Sequence, residues 1–244
     1  MSEVVLTSVE GRVGTLSFNR PEKHNALDDA MLAQWRTALA AFVTDDAVQV
    51  IVLRGEGSSF SSGRDTSQLG RRPPGVDDFT FVLREQREAL RVRHVSKPVL
   101  AALKGWTLGG ALELALHADV RIAAVDARLG LPEVRFGIVP DVGGLAVLHA
   151  LAGPERTKRL AMTGEPIDAE LALTWGIVSE VVAVEQLDAR INTLASLLAG
   201  QPTGAVRDVK ALVDALSDDQ VDHELARELR AQVQRFADRP VDPT

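Results

Sequence analysis

The sequence predicts an α/β fold, and three observations carry that reading. Apolar periodicity switches repeatedly between alternation and helical spacing, glycine-bearing turns follow the extended runs, and the chain beyond Gly143 reads almost wholly as helix. The first segment alternates as a β-hairpin does: VVLTSV, a turn at Glu10-Gly11-Arg12, then VGTLSF ending at Asn19-Arg20-Pro21. From Asp28 the period changes, with Leu32, Trp35, Leu39 and Phe42 at helical spacing, and VQVIVLRG from Val48 follows as a buried strand. VLAALKG from Val99 reads as a strand, GGALELALHA from Gly109 as a helix and VRIAA from Val120 as a strand, so the middle of the chain is βαβ in character.

In the later part, breakers stand at Gly153-Pro154, Gly164-Glu165-Pro166 and Gly200-Gln201-Pro202, and only the run from Ile177 to Val182 looks extended. Leu187, Ile191, Leu194 and Leu198 form one helical stripe, and Leu225, Leu229, Val233 and Phe236 another, each expected to pack on the core. Residues 67–78, SQLGRRPPGVDD, carry an Arg pair, a Pro pair and a Gly between two chemistry-bearing segments, and read as an exposed, lid-like loop. No repeat recurs at the periods of solenoid proteins.

Composition narrows the chemistry. The 244 residues contain no Cys and no Tyr, which excludes disulfides, thiolate nucleophiles, cysteine–zinc sites, iron–sulfur clusters and a catalytic tyrosine. Acid–base work falls to carboxylates, lysines or the five histidines. With 45% apolar residues the chain has material for a real core. Apolar runs stay short of the ~20 residues of a spanning helix, and the N-terminus MSEVVLTSVEG lacks a basic start followed by a hydrophobic stretch; the chain reads as soluble and cytoplasmic. Net charge is 27 − 34 = −7, against generic binding of a nucleic-acid backbone, though a local basic patch for a small anion remains allowed.

Several signatures are absent: no G-x-G-x-x-G after a strand, no G-x-x-x-x-G-K-[ST] and no H-E-x-x-H. Gly105-Trp106-Thr107-Leu108-Gly109 imitates a hydrolase nucleophile elbow with Thr in the nucleophile's place and is discounted. The histidines show no metal-ligand spacing, and no metal site is expected. Two glycine-bearing turns do stand out, Phe60-Ser61-Ser62-Gly63-Arg64-Asp65 and Gly105-Trp106-Thr107-Leu108-Gly109-Gly110. Each follows a strand and opens toward a helix, where glycine admits a ligand close to the backbone and free N–H groups favour negative charge. Facing each other, two such turns make an oxyanion hole from backbone alone; unliganded, they are simply tight strand-to-helix turns.

Acids cluster near the second turn. Glu113 lies in the first turn or so of the helix that opens at Gly109-Gly110, Glu133 follows Pro132, and Asp141 sits in the glycine-flanked turn Val139-Pro140-Asp141-Val142-Gly143-Gly144. Glu113 and Glu133 cannot share a helix face, but a helix, a strand and a return loop can bring them together. Taken singly, each acid reads equally as a cap or an ion-pair partner.

Over nearly the whole chain the sequence resembles the crotonase family of enoyl-CoA hydratases and isomerases. The resemblance rests on Phe18-Asn19-Arg20-Pro21-Glu22-Lys23-His24-Asn25-Ala26-Leu27, Phe60-Ser61-Ser62-Gly63-Arg64-Asp65, Lys97-Pro98-Val99, Gly109-Gly110-Ala111-Leu112-Glu113, Pro132-Glu133, Gly137-Ile138-Val139-Pro140, Gly143-Gly144 and Thr163-Gly164-Glu165-Pro166-Ile167-Asp168-Ala169. It implies a crotonase-like α/β spiral of repeated ββα turns over residues 1–190, and a helical C-terminal region, residues 191–244, that trimerises. It also implies a homotrimer or dimer of trimers, an acyl-CoA substrate, and no cofactor beyond the CoA that the substrate carries.

By the same resemblance, the backbone N–H groups of Arg64 and Gly110 are the oxyanion-hole donors, Glu113 orients and deprotonates water, and Glu133 delivers a proton to C2. Retention of both glutamates favours hydration of a 2-enoyl-CoA to 3-hydroxyacyl-CoA. CoA binding is expected at Lys23, His24 and Ala26 and around Ser62 and Asp65, although Asp65 reads equally as the N-cap of the next helix. Three features depart from the family pattern. Asp141 stands where hydratases carry glycine and some isomerases carry a catalytic aspartate, which leaves a dienoyl- or enoyl-CoA isomerase as the alternative. Arg64 replaces a common alanine and brings a guanidinium within potential reach of a CoA phosphate. The sequence ends soon after Phe236-Ala237-Asp238-Arg239-Pro240, without the family's usual last segment, which in the family helps cover a neighbouring subunit's CoA site. A non-catalytic acyl-CoA-binding or RNA-binding role is the third reading, and the negative charge argues against the RNA branch.

Overall fold

The computed structural model describes residues 3–216 and 218–238. Strands β1 (Val5–Glu10) and β2 (Val13–Phe18) form the expected antiparallel hairpin. Helix α1 (Asp29–Thr44) begins where Asp28 accepts the Met31 N–H at 2.7 Å, and it buries Met31, Trp35, Leu39 and Phe42. After β3 (Val50–Gly55) come α2 (Asp78–Ala89), α3 (Arg91–His94), β4 (Val99–Leu103), β5 (Trp106–Leu108), α4 (Gly110–Leu116), β6 (Val120–Ala124) and β7 (Arg128–Gly130). The remainder is α5 (Gly144–Ala152), α6 (Pro154–Thr163), β8 (Ile167–Asp168), α7 (Ala169–Thr174), β9 (Glu180–Val182), α8 (Leu187–Ala199), α9 (Thr203–Asp214) and α10 (Asp218–Ala237).

Two sheets take these strands. A six-stranded sheet runs β1-β2-β3-β4-β6-β9, parallel except for the hairpin, and a three-stranded one runs β5-β7-β8. The chain therefore leaves the large sheet after β4 and β6 and enters the small one directly, at β5 and β7; α4 carries it back from β5 to β6, whereas from β7 it passes through α5 and α6 to β8 of the small sheet before α7 leads to β9. After β3 it makes the same crossing with a single bridge, Ser61 to Thr107. That recurrence is the predicted ββα repeat.

The parallel centre of the large sheet, β3, β4 and β6, is buried on both faces, while the edge strand β1 is largely exposed. One face carries Leu16, Ile51, Leu53, Val99, Ala101 and Leu103 against α1 and α4; the other carries Val50, Val52, Leu100, Ala102 and Ile122 against Leu187, Ile191 and Ala195 of α8. Helix α8 thus belongs to the sheet's own packing and runs across the expected boundary at residue 190.

Three local expectations change. Beyond Gly143 the extended segments are β9 and also β8, a two-residue strand paired with β7 that is too short to leave a period. Short strands also occupy Trp106–Leu108, read from sequence as part of a turn, and Arg128–Gly130. On α10, the buried face holds Leu225 and Leu229 as expected, but Glu228 and Gln232 complete it, while Val233 is only half-buried.

Candidate active site

Register places the three site-bearing turns side by side. Ser61 pairs with Thr107 and Thr107 with Leu129, all parallel, so the chain leaves this layer at equivalent points three residues on: Arg64, Gly110 and Pro132. Two glycines let the turns touch. Gly63 and Gly109 have φ of +87° and +56°, and an added Cβ would meet the Leu108 carbonyl oxygen at 2.6 Å and Oε1 of Glu133 at 2.8 Å, respectively. The backbone N–H groups of Arg64 and Gly110 have no acceptor among the described residues, and both residues line one cavity of about 350 Å³.

Glu113, Glu133 and Asp141 line the same cavity, so the structure brings the predicted acids together. Glu113 is 1% exposed, in the first turn of α4. Its Oε1 accepts from the N–H groups of Val142 at 3.2 Å and Gly144 at 3.0 Å. Burial raises its pKa to about 7, while the amides of residues 141, 142 and 144 pull the other way by favouring the charged form. Glu133 lies on a 3₁₀ turn, Pro132–Phe136, and its Oε2 is buried with no partner among the described residues. Burial first, then the charge of Glu113, pushes Glu133 up to about 9. Asp141 is held well above the usual carboxylate range by burial and by Glu113 and Glu85, although Gln232 hydrogen-bonds its side chain.

The residues expected at the CoA are divided. Ser62 lines the cavity; Lys23, His24, Ala26 and Asp65 do not. They build the turn behind it: the Ser62 N–H donates to the His24 carbonyl at 2.9 Å, Arg20 donates to the Ala26 carbonyl at 2.7 Å, and the His24 ring meets Ser59 Oγ at 3.1 Å. Asp65 acts as the N-cap that sequence offered as its alternative, accepting from the Ser67 N–H at 3.1 Å and pairing with Arg20 at 3.4 Å. The Arg64 guanidinium turns to the Leu27 carbonyl and to Asp29, away from the role of a free phosphate clamp.

Sequence reasoning missed two polar residues of α10, Glu228 and Gln232, which are 6% and 2% exposed. Glu228 accepts the Gly143 N–H at 2.8 Å, and Gln232 accepts the Val139 N–H at 3.0 Å. Their signal was there: both interrupt an apolar helical stripe at i+3 and i+7 from Leu225. Beyond the acids the cavity is walled by Leu32, Trp35, Phe81 and Phe236, and by Arg36, which is paired with Glu85 at 2.9 Å.

The sequence profile of the enoyl-CoA hydratase/isomerase family matches residues 8–241. The chain belongs to that family. This hydratase/isomerase-family chain is 34% identical to the 1,2-epoxyphenylacetyl-CoA isomerase of Escherichia coli (strain K12), over 99% of its own length and 93% of that protein. It is 33% identical to the crotonyl-CoA hydratase of Syntrophomonas wolfei, over 94% of its own length and 88% of that protein. A solved enoyl-CoA hydratase/isomerase from Xanthobacter autotrophicus Py2 superposes with a TM-score of 0.87 at 31% identity, covering 95% of this chain and 87% of that one. The fold is that of the crotonase superfamily, as the sequence motifs implied, with a helical C-terminal region.

Proposed function

We propose that the chain adds water across the 2,3 double bond of a 2-enoyl-CoA thioester to give 3-hydroxyacyl-CoA. One observation carries the reading: two buried glutamates line one cavity under opposite hydrogen-bonding regimes. Glu113 gathers backbone N–H groups, which stabilise its carboxylate, whereas Oε2 of Glu133 has none and holds a proton more readily. A base and an acid are thereby set apart near neutral pH, with Glu113 about 7 and Glu133 about 9.

In this scheme the thioester oxygen sits on the N–H groups of Arg64 and Gly110. Glu113 takes a proton from water as the water oxygen bonds to C3, and the C2–C3 π electrons move toward the carbonyl. The two amides stabilise the enolate-like oxygen that develops, each by about a few kcal/mol. Glu133 then gives its proton to C2, and the proton gained by Glu113 restores the pair. No cofactor enters beyond the CoA of the substrate. Lys23 and His24, both exposed, meet its phosphates beside the turn that carries Ser62, and Ala26 and Asp65 act through the backbone of that turn.

A second reading is favoured by Asp141. This third acid lines the same cavity, and burial with the neighbouring Glu113 holds its carboxyl well above the usual carboxylate range, so it is placed to move a proton along the acyl chain and shift a double bond without adding water. Mass spectrometry after incubation with crotonyl-CoA separates the two. Hydration gives a gain of one water, and an unchanged substrate mass across several chain lengths overturns it. A dienoyl-CoA tests the second reading: isomerisation keeps the mass and shifts the double bond, and full activity in Asp141→Gly would remove the acid from the scheme. The assembly belonging to this reading is a trimer.

A further inference from the structure

Helix α10 brings to the back of the site an acid that the hydration scheme leaves unused. Oε2 of Glu228 accepts the Gly143 N–H at 2.8 Å, and its Oε1 is buried with no partner among the described residues. The residues flanking Gly143 serve the other side: Val142 and Gly144 both donate to Oε1 of Glu113. Three successive amides are thus shared between two carboxyl groups, the outer two going to Glu113 and the middle one to Glu228. With φ of +89° at Gly143, the strap is a tight turn, and motion at the middle amide is transmitted to its neighbours.

We propose that Glu228 is a positioning residue for Glu113, acting as a neutral acid through the strap of residues 142–144 that their carboxyl groups share. Two charged carboxylates on one three-residue strap would repel across it, so one of them keeps its proton. The surroundings decide which. The charges that act on Glu228 most are acids: Glu113 of α4, Asp141 of the loop and Glu224 of its own helix. From α2, Glu85 acts on Asp141 and Gln86 donates to the Leu225 carbonyl. His117, which caps the end of α4 and is hydrogen-bonded to the Val142 carbonyl at 2.7 Å, is kept neutral by burial, and the one titratable residue of α5, His149, is exposed. Burial and Glu113 together push Glu228 to about 9, above Glu113. Glu113 therefore carries the charge, and Glu228 supplies an acceptor without supplying a second one.

The kinetic arm of the test rests on the hydration reading; a substrate-free arm does not. Both use the full chain with Glu228→Leu, which removes the acceptor, and Glu228→Gln, which keeps an acceptor that cannot ionise. Glu228→Leu lowers kcat for crotonyl-CoA by about tenfold or more with KM within about threefold, and raises the pH of the acid limb, because an unpaired Gly143 amide loosens the strap. Glu228→Gln restores kcat to within about threefold and returns the acid limb to its place. In the substrate-free arm, carboxyl carbon-13 NMR, assigned with Glu113→Gln, follows the titration of Glu113 directly. Its midpoint in Glu228→Gln stays within about 0.3 pH units of the wild type, since a neutral acid has been replaced by a neutral amide. A lowered Glu113 midpoint in Glu228→Gln shows that Glu228 was charged and overturns the proposal. So does a Glu228→Gln enzyme as slow as Glu228→Leu, or a folded Glu228→Leu enzyme with wild-type kcat and acid limb. If the wild type does not hydrate crotonyl-CoA, the hydration reading falls and the NMR arm still decides this one, as it does if Glu228→Leu fails to fold.

Discussion

Gly144 both holds Glu113 and leaves it no room: its N–H donates to Oε1 at 3.0 Å, while an added Cβ would stand 2.4 Å from Cγ and 2.9 Å from Oε1. The carboxylate is therefore fixed by a donor and by contact with the same residue. In Gly144→Ala the amide remains but the side chain of Glu113 must shift. Misplacing the base by a fraction of an ångström is expected to lower kcat by about tenfold or more, with KM within about threefold. Overpacking adds a loss of about 1–3 kcal/mol in stability. Steady-state hydration and a thermal melt read the two effects separately, and an unchanged kcat would show that Glu113 is not held as described.

The separation between Glu113 and Glu133 predicts a bell-shaped pH–rate profile. Hydration needs Glu113 ionised and Glu133 protonated, so the rate rises as pH passes through about 7 and falls as it passes through about 9. Glu113→Gln and Glu133→Gln each lower kcat by at least ~100-fold, and neither amide can transfer the missing proton. A hydratase that keeps its rate in either variant assigns the chemistry to other groups.

The three acids of the cavity were legible because local rules position them. Gly109-Gly110 ends a strand and opens a helix, Pro132 starts a turn, and Gly143-Gly144 admits a carboxylate against the backbone; each is a two-residue signal tied to one acid. Glu228 obeyed no such rule. Its break in the apolar stripe of α10 is visible in the sequence, but its partner amide lies 85 residues away, and nothing local says which loop that face meets. Asn25 was present in the family-like segment, but its reason was not readable: it is fully buried, accepts the Arg20 N–H at 2.8 Å and donates to the Glu56 and Ser59 carbonyls. Strands β5, β7 and β8, of three, three and two residues, are shorter than any alternation pattern needs.

Burying several protonated acids makes stability depend on pH in an unusual direction. Glu113, Glu133 and Glu228 titrate at about 7, 9 and 9 in the fold, against 4.5 for a free glutamate. From pH 4.5 upward the folded state binds more protons than the unfolded one, so their contribution is complete below 4.5 and is lost as pH rises through 7 and 9. His117 has the opposite sign: lowered from 6.5 to about 4 by burial, it contributes above 6.5 and loses that contribution as pH falls toward 4. Three acids outweigh one histidine between pH 4.5 and 6.5, so thermal melts are expected to be highest near about pH 4.5 and to decline toward about pH 9. Glu228→Gln flattens the alkaline decline by about 2–4 °C or more, the equivalent of ~1 kcal/mol. A melting temperature that holds steady or rises from about pH 6 to 9 contradicts the buried-acid account.

Helix α9 gives the proposed trimer its most direct test. It buries none of its own residues, yet Val209, Leu212 and Val213 are 62%, 70% and 59% exposed, and Leu216, just past its end, is 86% exposed. Their i, i+3, i+4, i+7 spacing puts them on one face, an apolar stripe left exposed among the described residues. A contiguous stripe of this kind is the mark of a surface made to be covered, and each leucine withdrawn from water is worth about 1.5–3 kcal/mol. Replacing Leu212 and Leu216 with glutamate therefore opposes assembly twice in every protomer, by removing apolar area and by placing charge where it must be desolvated. Light scattering after size exclusion is expected to show three protomers for the wild type and one for the double variant Leu212→Glu, Leu216→Glu. A wild type that elutes as a single protomer at micromolar concentration would sink the trimer, and a double variant that remains trimeric would place its interface on another face.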